Sequence, residues 1–225
     1  VFTYPLVAHH QDAESYHGAR KYLVYLMGTS KLFLLPAMIL TYVLCGTLDF
    51  RLGDITQGMF PADANPLLVQ ITYALYVAGL AKAAIMPLHN WLPSAMVAPT
   101  PVSALLHAVA VVKAGVFSIC RVLLSAFGVN LMDTLGLGAA TAVFAALTIV
   151  LASVIALTKD DLKARLAYST VSQLSYVVLG VSMLTPLAVT GGVAHIAHHA
   201  FSKITLFFTA GAIYVATHQK KISMM

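Results

Sequence analysis

The sequence predicts an all-α fold, a polytopic transmembrane helix bundle of about six spans with one helix broken by prolines, and three observations carry that expectation. Of the 225 residues, 60% are hydrophobic and only 9% charged, whereas a soluble domain has about 25% charged residues to cover its water-facing surface. Mean hydropathy is +0.86. The apolar residues fall in runs long enough to cross a hydrocarbon core, which takes about 20 residues per helix. Between the runs lie clusters of Asp, Asn, Gly and Pro. Residues 1–225 read as a single transmembrane domain. The chain does not begin with methionine, and residues 1–20 are His-rich instead of showing a basic then apolar leader pattern. It is therefore expected to be a fragment that opens inside a longer protein.

Residues 22–48 form the first apolar run, closed by the turn-forming loop 49–65. The second run, 66–87, opens with Pro66 at the position of a helix's first turn that tolerates proline. The next stretch stays apolar yet holds Pro93, Pro99 and Pro101. Proline removes a backbone donor and clashes with the preceding turn, so a broken or re-entrant segment is expected, non-helical between residues 91 and 101. Such backbone survives at membrane depth only where protein or a wet cavity satisfies it. The third span is expected at 102–127. The fourth, 136–157, holds no ionisable residue. A charged loop, 159–165, leads to the fifth span at 168–184, and Thr185 and Pro186 turn the chain into the sixth, 187–217, with Gly191 and Gly192 as a bend. With six crossings, Arg20, Lys21, Lys159, Lys163, Arg165, Lys220 and Lys221 share one face and only Arg51 and Arg121 the other. That bias places both ends of the chain in the cytoplasm.

The formal charge of +5 would suggest an anionic partner such as nucleic acid if it lay on a surface. It does not: Lys31, Lys82, Lys113 and Lys203 sit inside apolar runs, while all eight acids lie in loops or the N-terminal segment. A lysine near a bilayer centre costs about 2.5 to 3.5 kcal/mol on insertion scales, so intramembrane lysines point to function. Lys82, close to the end of its run, could instead snorkel, and Lys31 could be structural. His195, His199 and Lys203 are spaced i, i+4, i+8 and form one stripe roughly 12 Å long. Neutral imidazole both donates and accepts and changes state near neutrality, which suits a proton relay. His198 points away from this stripe. His89 would share a face with Lys82 if the helix ran that far. His107, six residues before Lys113, lies roughly 240° round a regular helix and does not share its face; it reads equally as a core histidine or a relay member. Bis-histidine haem needs ligands on facing helices and di-iron sites need carboxylates, so no metal and no cofactor is expected. Cys45 and Cys120 lack CxxC spacing and suggest neither disulfide nor metal knuckle.

The residues and their order resemble the proton-translocating, antiporter-like membrane subunits shared by respiratory complex I (NADH-quinone oxidoreductase) and Mrp-type cation/proton antiporters. The most specific stretch is AKAAIMPLHNWLPSAMVAPTPVSALLHAVAVVKAG at 81–115, followed in the family's order by KARLAYSTVSQLSYVVLG at 163–180 and HIAHHAFSKITLFFTAG at 195–211. TYPLVAHHQDAESYHGARKYLVYLMGTS at 3–30 looks most like the D-type subunit of Mrp antiporters. The resemblance implies that Lys82 matches the family's lysine on its discontinuous helix and Lys113 the lysine on the next helix. His195, His199 and Lys203 would continue the central hydrophilic axis. The family's preceding helix usually carries a glutamate that pairs with the lysine matched by Lys82; the single glutamate of this chain is Glu14, in the N-terminal segment.

The expected function is proton, or coupled cation/proton, translocation through Lys82, Lys113, His195, His199, Lys203 and His107, with no bond chemistry in this chain itself. Membership of an NADH-quinone oxidoreductase-like translocase stays open. The implied partners are other membrane subunits, the lipid bilayer, protons and sodium, with no nucleic acid, in a bacterial inner (plasma) membrane. Two other readings stand beside it: a secondary transporter with a substrate site at the broken helix, and a structural scaffold within a larger complex.

Overall fold

A computed structural model describes residues 3–51, 53–61 and 63–225, and six long helices carry the architecture: α1 (Ala13–Cys45), α2 (Pro66–Gly79), α3 (Thr100–Phe127), α4 (Leu137–Thr158), α5 (Leu162–Ser182) and α6 (Pro186–Thr217). Among the described residues there is no β-strand. Four of the helices, α1, α3, α4 and α6, are long and apolar enough to cross a membrane. α5 has 21 residues and the length to do so, but it runs between α4 and α6 and packs on both. Its buried face can therefore hold Thr170, Ser172, Ser175 and Ser182, and three of these hydroxyls return to carbonyls of their own helix, Thr170 to Leu166 at 2.9 Å, Ser175 to Val171 at 3.0 Å and Ser182 to Leu179 at 2.9 Å. That polar content lowers its hydropathy without exposing it to water.

The helix starts follow local chemistry. Asp12 accepts from the Ser15 amide at 2.7 Å, Asn65 from the Leu67 amide at 3.0 Å and Asp161 from the Ala164 amide at 2.7 Å, each satisfying a donor that a first turn leaves free. Pro66 and Pro186 occupy first-turn positions where no intrahelical donor is lost. Apolar side chains such as Leu147, Val150, Leu151, Leu187, Phe201 and Val215 are exposed on the outer faces of α4 and α6, as suits helices bordered by hydrocarbon or by further helices.

The break after α2 begins earlier than the prolines suggest. The helix ends at Gly79, a 3₁₀ turn covers Ala81–Ala83, and Ala84 adopts a left-handed conformation (φ 55°). Two distant groups account for this. The indole Nε1 of fully buried Trp91 donates to the Ala81 carbonyl at 2.9 Å, supplying a partner that the broken helix no longer provides. Gly115 of α3 meets the turn backbone to backbone: a Cβ there would lie 2.4 Å from both Ala83 N and Lys82 C. The stretch 91–101 is likewise more ordered than expected, with a helical turn Trp91–Ser94, a 3₁₀ turn Ala95–Val97, and extended backbone at Ala98 and Pro99. Lys163 Nζ donates to the Ala98 carbonyl at 2.9 Å and Ser103 Oγ donates to it at 3.1 Å, so the extended residues are also satisfied.

Two further expectations are adjusted. α5 starts at Leu162, so Lys163 and Arg165 belong to its first turn instead of a loop. α6 is helical throughout, and its glycine pair marks no interruption: a Cβ on Gly192 would come within 3.0 Å of the Val177 carbonyl oxygen, so the residue serves close approach to α5.

The α4–α5 loop and the segment after α6 meet at one end of the bundle. Leu162 N donates to Lys220 O at 3.1 Å and Ile222 N to Asp160 O at 2.8 Å. The Asp160 carboxylate accepts from the Ser223 amide at 3.0 Å and hydroxyl at 2.8 Å, and these two bonds hold its carboxyl below the usual carboxylate range.

Candidate functional site

Three helices converge on a polar seam inside the bundle. α6 presents His195, His199, Lys203 and Phe207 along one stripe. His199 and Lys203 are buried and His195 is half-buried, while His198 is exposed on the other side. The rings of His195 and His199 stack with centroids 6.1 Å apart. Lys113 of α3, also buried, donates from Nζ to His199 Nδ1. An ammonium bonded to Nδ1 places the ring proton of His199 on Nε2, and that nitrogen is buried with no hydrogen-bond partner. Lys203 Nζ turns to α5 instead, donating to Leu166 O at 3.1 Å and Ser169 Oγ at 2.9 Å. His195 Nε2 meets Gln173 Oε1 of α5 at 2.8 Å.

His107 also reaches this seam. It is fully buried, its ring lies 5.4 Å from that of Phe207, and neither ring nitrogen has a partner. On a regular helix His107 and Lys113 would face apart. A π-helical turn over Leu105–Val109 and an irregular Ala110 (φ −93°, ψ −79°) rephase α3 between them, because a π turn inserts an extra residue into the helical repeat. Both side chains therefore meet α6.

Lys82 lies elsewhere. It is exposed at the break and lines a cavity of about 500 Å³ together with Lys31, Tyr22, Ser30, Ala110 and Ala114. Lys113 is not among the residues that line this cavity. His89, whose Nδ1 is buried without a partner, packs against Tyr168 at 5.9 Å, far from a shared helical face with Lys82 because α2 has ended. The structure thus groups Lys113, His195, His199, Lys203 and His107, and sets Lys82 in the wall of a cavity that Lys31 also lines.

None of the eight acids is buried, so the seam is basic and neutral only. Among the described residues no group of three or more His, Cys, Asp or Glu could hold a metal ion. The sequence alone does not point to Gln173, Ser169 or the cavity that Lys31 and Lys82 both line. Gln173 and Ser169 sit at i, i+4 on α5, but so do many side chains of a buried helix, and only their apposition to α6 distinguishes them.

The family model described as NADH:quinone oxidoreductase/Mrp antiporter, TM matches residues 1–225. The chain belongs to this family. The NADH-quinone oxidoreductase subunit L of Escherichia coli (strain K12) is 38% identical over 192 residues, covering 84% of this chain and 30% of that protein. The chloroplastic NAD(P)H-quinone oxidoreductase subunit 5 of Citrus sinensis is 37% identical over 187 residues, covering 80% of this chain and 24% of that protein. Among solved structures, the Mrp complex from Dietzia sp. DQ12-45-1b matches with a TM-score of 0.80 and 31% identity over 98% of this chain and 24% of that one. The membrane-bound sulfane sulfur reductase, an archaeal respiratory membrane complex, matches with a TM-score of 0.82 and 30% identity over 98% of this chain and 44% of that one. As a member of this antiporter-like family the chain is an integral membrane protein, similar to subunits of multi-subunit membrane assemblies. It spans less than a third of the length of these two curated relatives.

Proposed function

We propose that the chain is the middle part of a subunit that translocates protons, alone or coupled to a cation such as sodium, through Lys113, His199, Lys203, His195 and His107, with Lys82 serving the same path from the break. The observation that carries this reading is the Lys113–His199 contact between α3 and α6, buried with no carboxylate beside it. A lysine so placed has no salt-bridge role to fill, and its partner is the one side chain type suited to exchange a proton near neutrality. The partners are further membrane subunits and the lipid bilayer, in a bacterial plasma membrane, and the likeness to the E. coli protein supports that setting. The likeness to both the Mrp complex and the complex I subunits leaves the D-type resemblance of residues 3–30 as one proposal within the family.

The test uses the full-length parent in membrane vesicles. Lys113→Met should assemble normally while proton transport falls by about a hundredfold, the low end of what positioned proton donors contribute. Lys113→Arg should fall as well, because guanidinium keeps the charge but does not deprotonate. Transport that survives Arg but not Met would show that charge alone matters and remove Lys113 from the path.

The cavity at Lys31 and Lys82 favours a second reading, a secondary transporter with an anionic substrate seated at the break. Thermal stabilisation of the purified parent by an organic anion, lost in Lys82→Met, would support it.

A further inference from the structure

The seam has two sides, and the one on α5 carries no lysine or histidine. Ser169, Gln173 and Tyr176, spaced i, i+4, i+7, run antiparallel to the α6 stripe: Ser169 accepts from Lys203 at 2.9 Å, Gln173 meets His195 at 2.8 Å, and the Tyr176 ring packs edge-on to His195 at 6.3 Å. We propose that Gln173 is a positioning residue that fixes the tautomer of His195, holding the proton on Nε2 and leaving Nδ1 as the ring's single basic atom.

The inference rests on the proton-path reading above. A glutamine carbonyl oxygen only accepts, so a 2.8 Å contact to Nε2 requires Nε2 to be the protonated nitrogen. The second ring nitrogen then carries the lone pair. His195 becomes a station that gains and returns a proton at one atom: the proton adds to Nδ1, the imidazolium keeps its Nε2–H on Gln173, and the same Nδ1 proton leaves to restore the neutral ring. His199 is set in the same tautomer by a different device, the Lys113 ammonium on its Nδ1. The two stacked rings are therefore oriented from opposite sides, one by an acceptor on α5 and one by a donor on α3. The titratable or charged groups that face His195 are Tyr176 from α5 and His199 from its own helix, with Lys113 of α3 linked to it through His199 and His198 turned to the other side of α6.

Two substitutions in the full-length parent test this, measured as the pH profile of proton transport in membrane vesicles, with Lys113→Met as the reference. Gln173→Leu, similar in size but unable to accept, should lower transport about tenfold, as losing the partner that orients a metal-ligating histidine does. Gln173→Glu retains the acceptor and should retain transport, with the profile's midpoint moved to higher pH because a carboxylate favours the imidazolium. Ring ¹⁵N spectra of the histidine-labelled protein should show a fixed Nε2–H signal in the native and Glu forms that becomes a tautomer mixture in Leu. If Lys113→Met stops transport while Gln173→Leu matches the native rate and profile, Gln173 only fills space and the inference is overturned. If Gln173→Leu fails to assemble, the Glu variant decides, and an unmoved midpoint overturns the inference. If neither Lys113→Met nor Gln173→Leu alters transport, the proton-path reading falls and takes this inference with it.

Discussion

α4 and α6 flank the same helix, α5, and differ in what they lay against it. α4 buries Ala145, Thr148, Ile149, Ala152 and Ala156, and among the described residues the one bond between its side chains and those of α5 is Ser153 to Ser172 at 3.0 Å. α6 buries Gly192, His199, Lys203, Phe207 and Ala210. Both are long and apolar enough to span, and the lower mean hydropathy of α6, 1.3 against 2.5 for α4, reflects the polar side chains it carries. What separates them is the kind of group that meets α5: a neutral hydroxyl pair from α4, and a lysine and a histidine from α6. The α4 side is a contact of mainly small, uncharged residues, which lets backbones approach. The α6 side is a paired polar seam, and every donor placed there has consequences for charge.

Substitutions on the two sides of α5 test this contrast. Lys203→Met removes two bonds to α5 and should lower proton transport of the full-length parent about a hundredfold with normal assembly, while Ser153→Ala on the α4 side should leave transport unchanged. Equal loss in both would show that the seam is not special. Next, Trp91→Phe keeps the ring but leaves the buried Ala81 carbonyl without its indole donor. Thermal unfolding of the purified parent should show a loss of about 1 to 3 kcal/mol. Ser153→Ala itself should register in the same assay as a loss of about 0.5 to 1.5 kcal/mol, the worth of one neutral hydrogen bond. The smallest effect concerns the latch at the bundle end. The Asp160 carboxyl titrates below its ordinary 3.8, so the stability it adds is fully present above that value and is lost as pH falls through the lower, folded-state value. Hydrogen exchange at residues 220–225 should be fast in Asp160→Asn at neutral pH and, in the native chain, should quicken only under strong acid. An Asp160→Asn chain protected as well as the native one would show that the backbone bonds alone hold the tail.

How much of this was readable in the chain itself varies by element. α4 was expected at 136–157 and is Leu137–Thr158, because a run without ionisable groups, closed by charge, has one interpretation. α5 was expected to begin at 168 and begins at Leu162: Lys163 and Arg165 look like loop charges until their side chains are seen bonding the carbonyls of Ala98, Lys159 and Leu157. α2 was expected to reach residue 87 and stops at Gly79, since hydropathy does not change where Trp91 and Gly115, both distant in sequence, end the helix. The His195, His199, Lys203 stripe follows from spacing alone. Its partners do not, because Lys113, Ser169 and Gln173 meet it only through tertiary packing, and the meeting of His107 and Lys113 with α6 depends on a π turn that regular periodicity conceals.

The backbone contact of Gly115 with the turn at Lys82 acts as a ruler. Lys113 lies two residues before that contact on α3, and Lys82 lies within the turn it touches. Side chains have rotamers and can take up slack between two sites, but main chain pressed on main chain has none to give. The spacing of the two lysines' Cα atoms is therefore held by close van der Waals contact of the two backbones, with mainly the reach of each side chain left to vary. Any tilt of the turn against α3 must carry Lys82 with it relative to Lys113, so the interval between the break and the buried seam works as a gauge that reports the posture of the bundle.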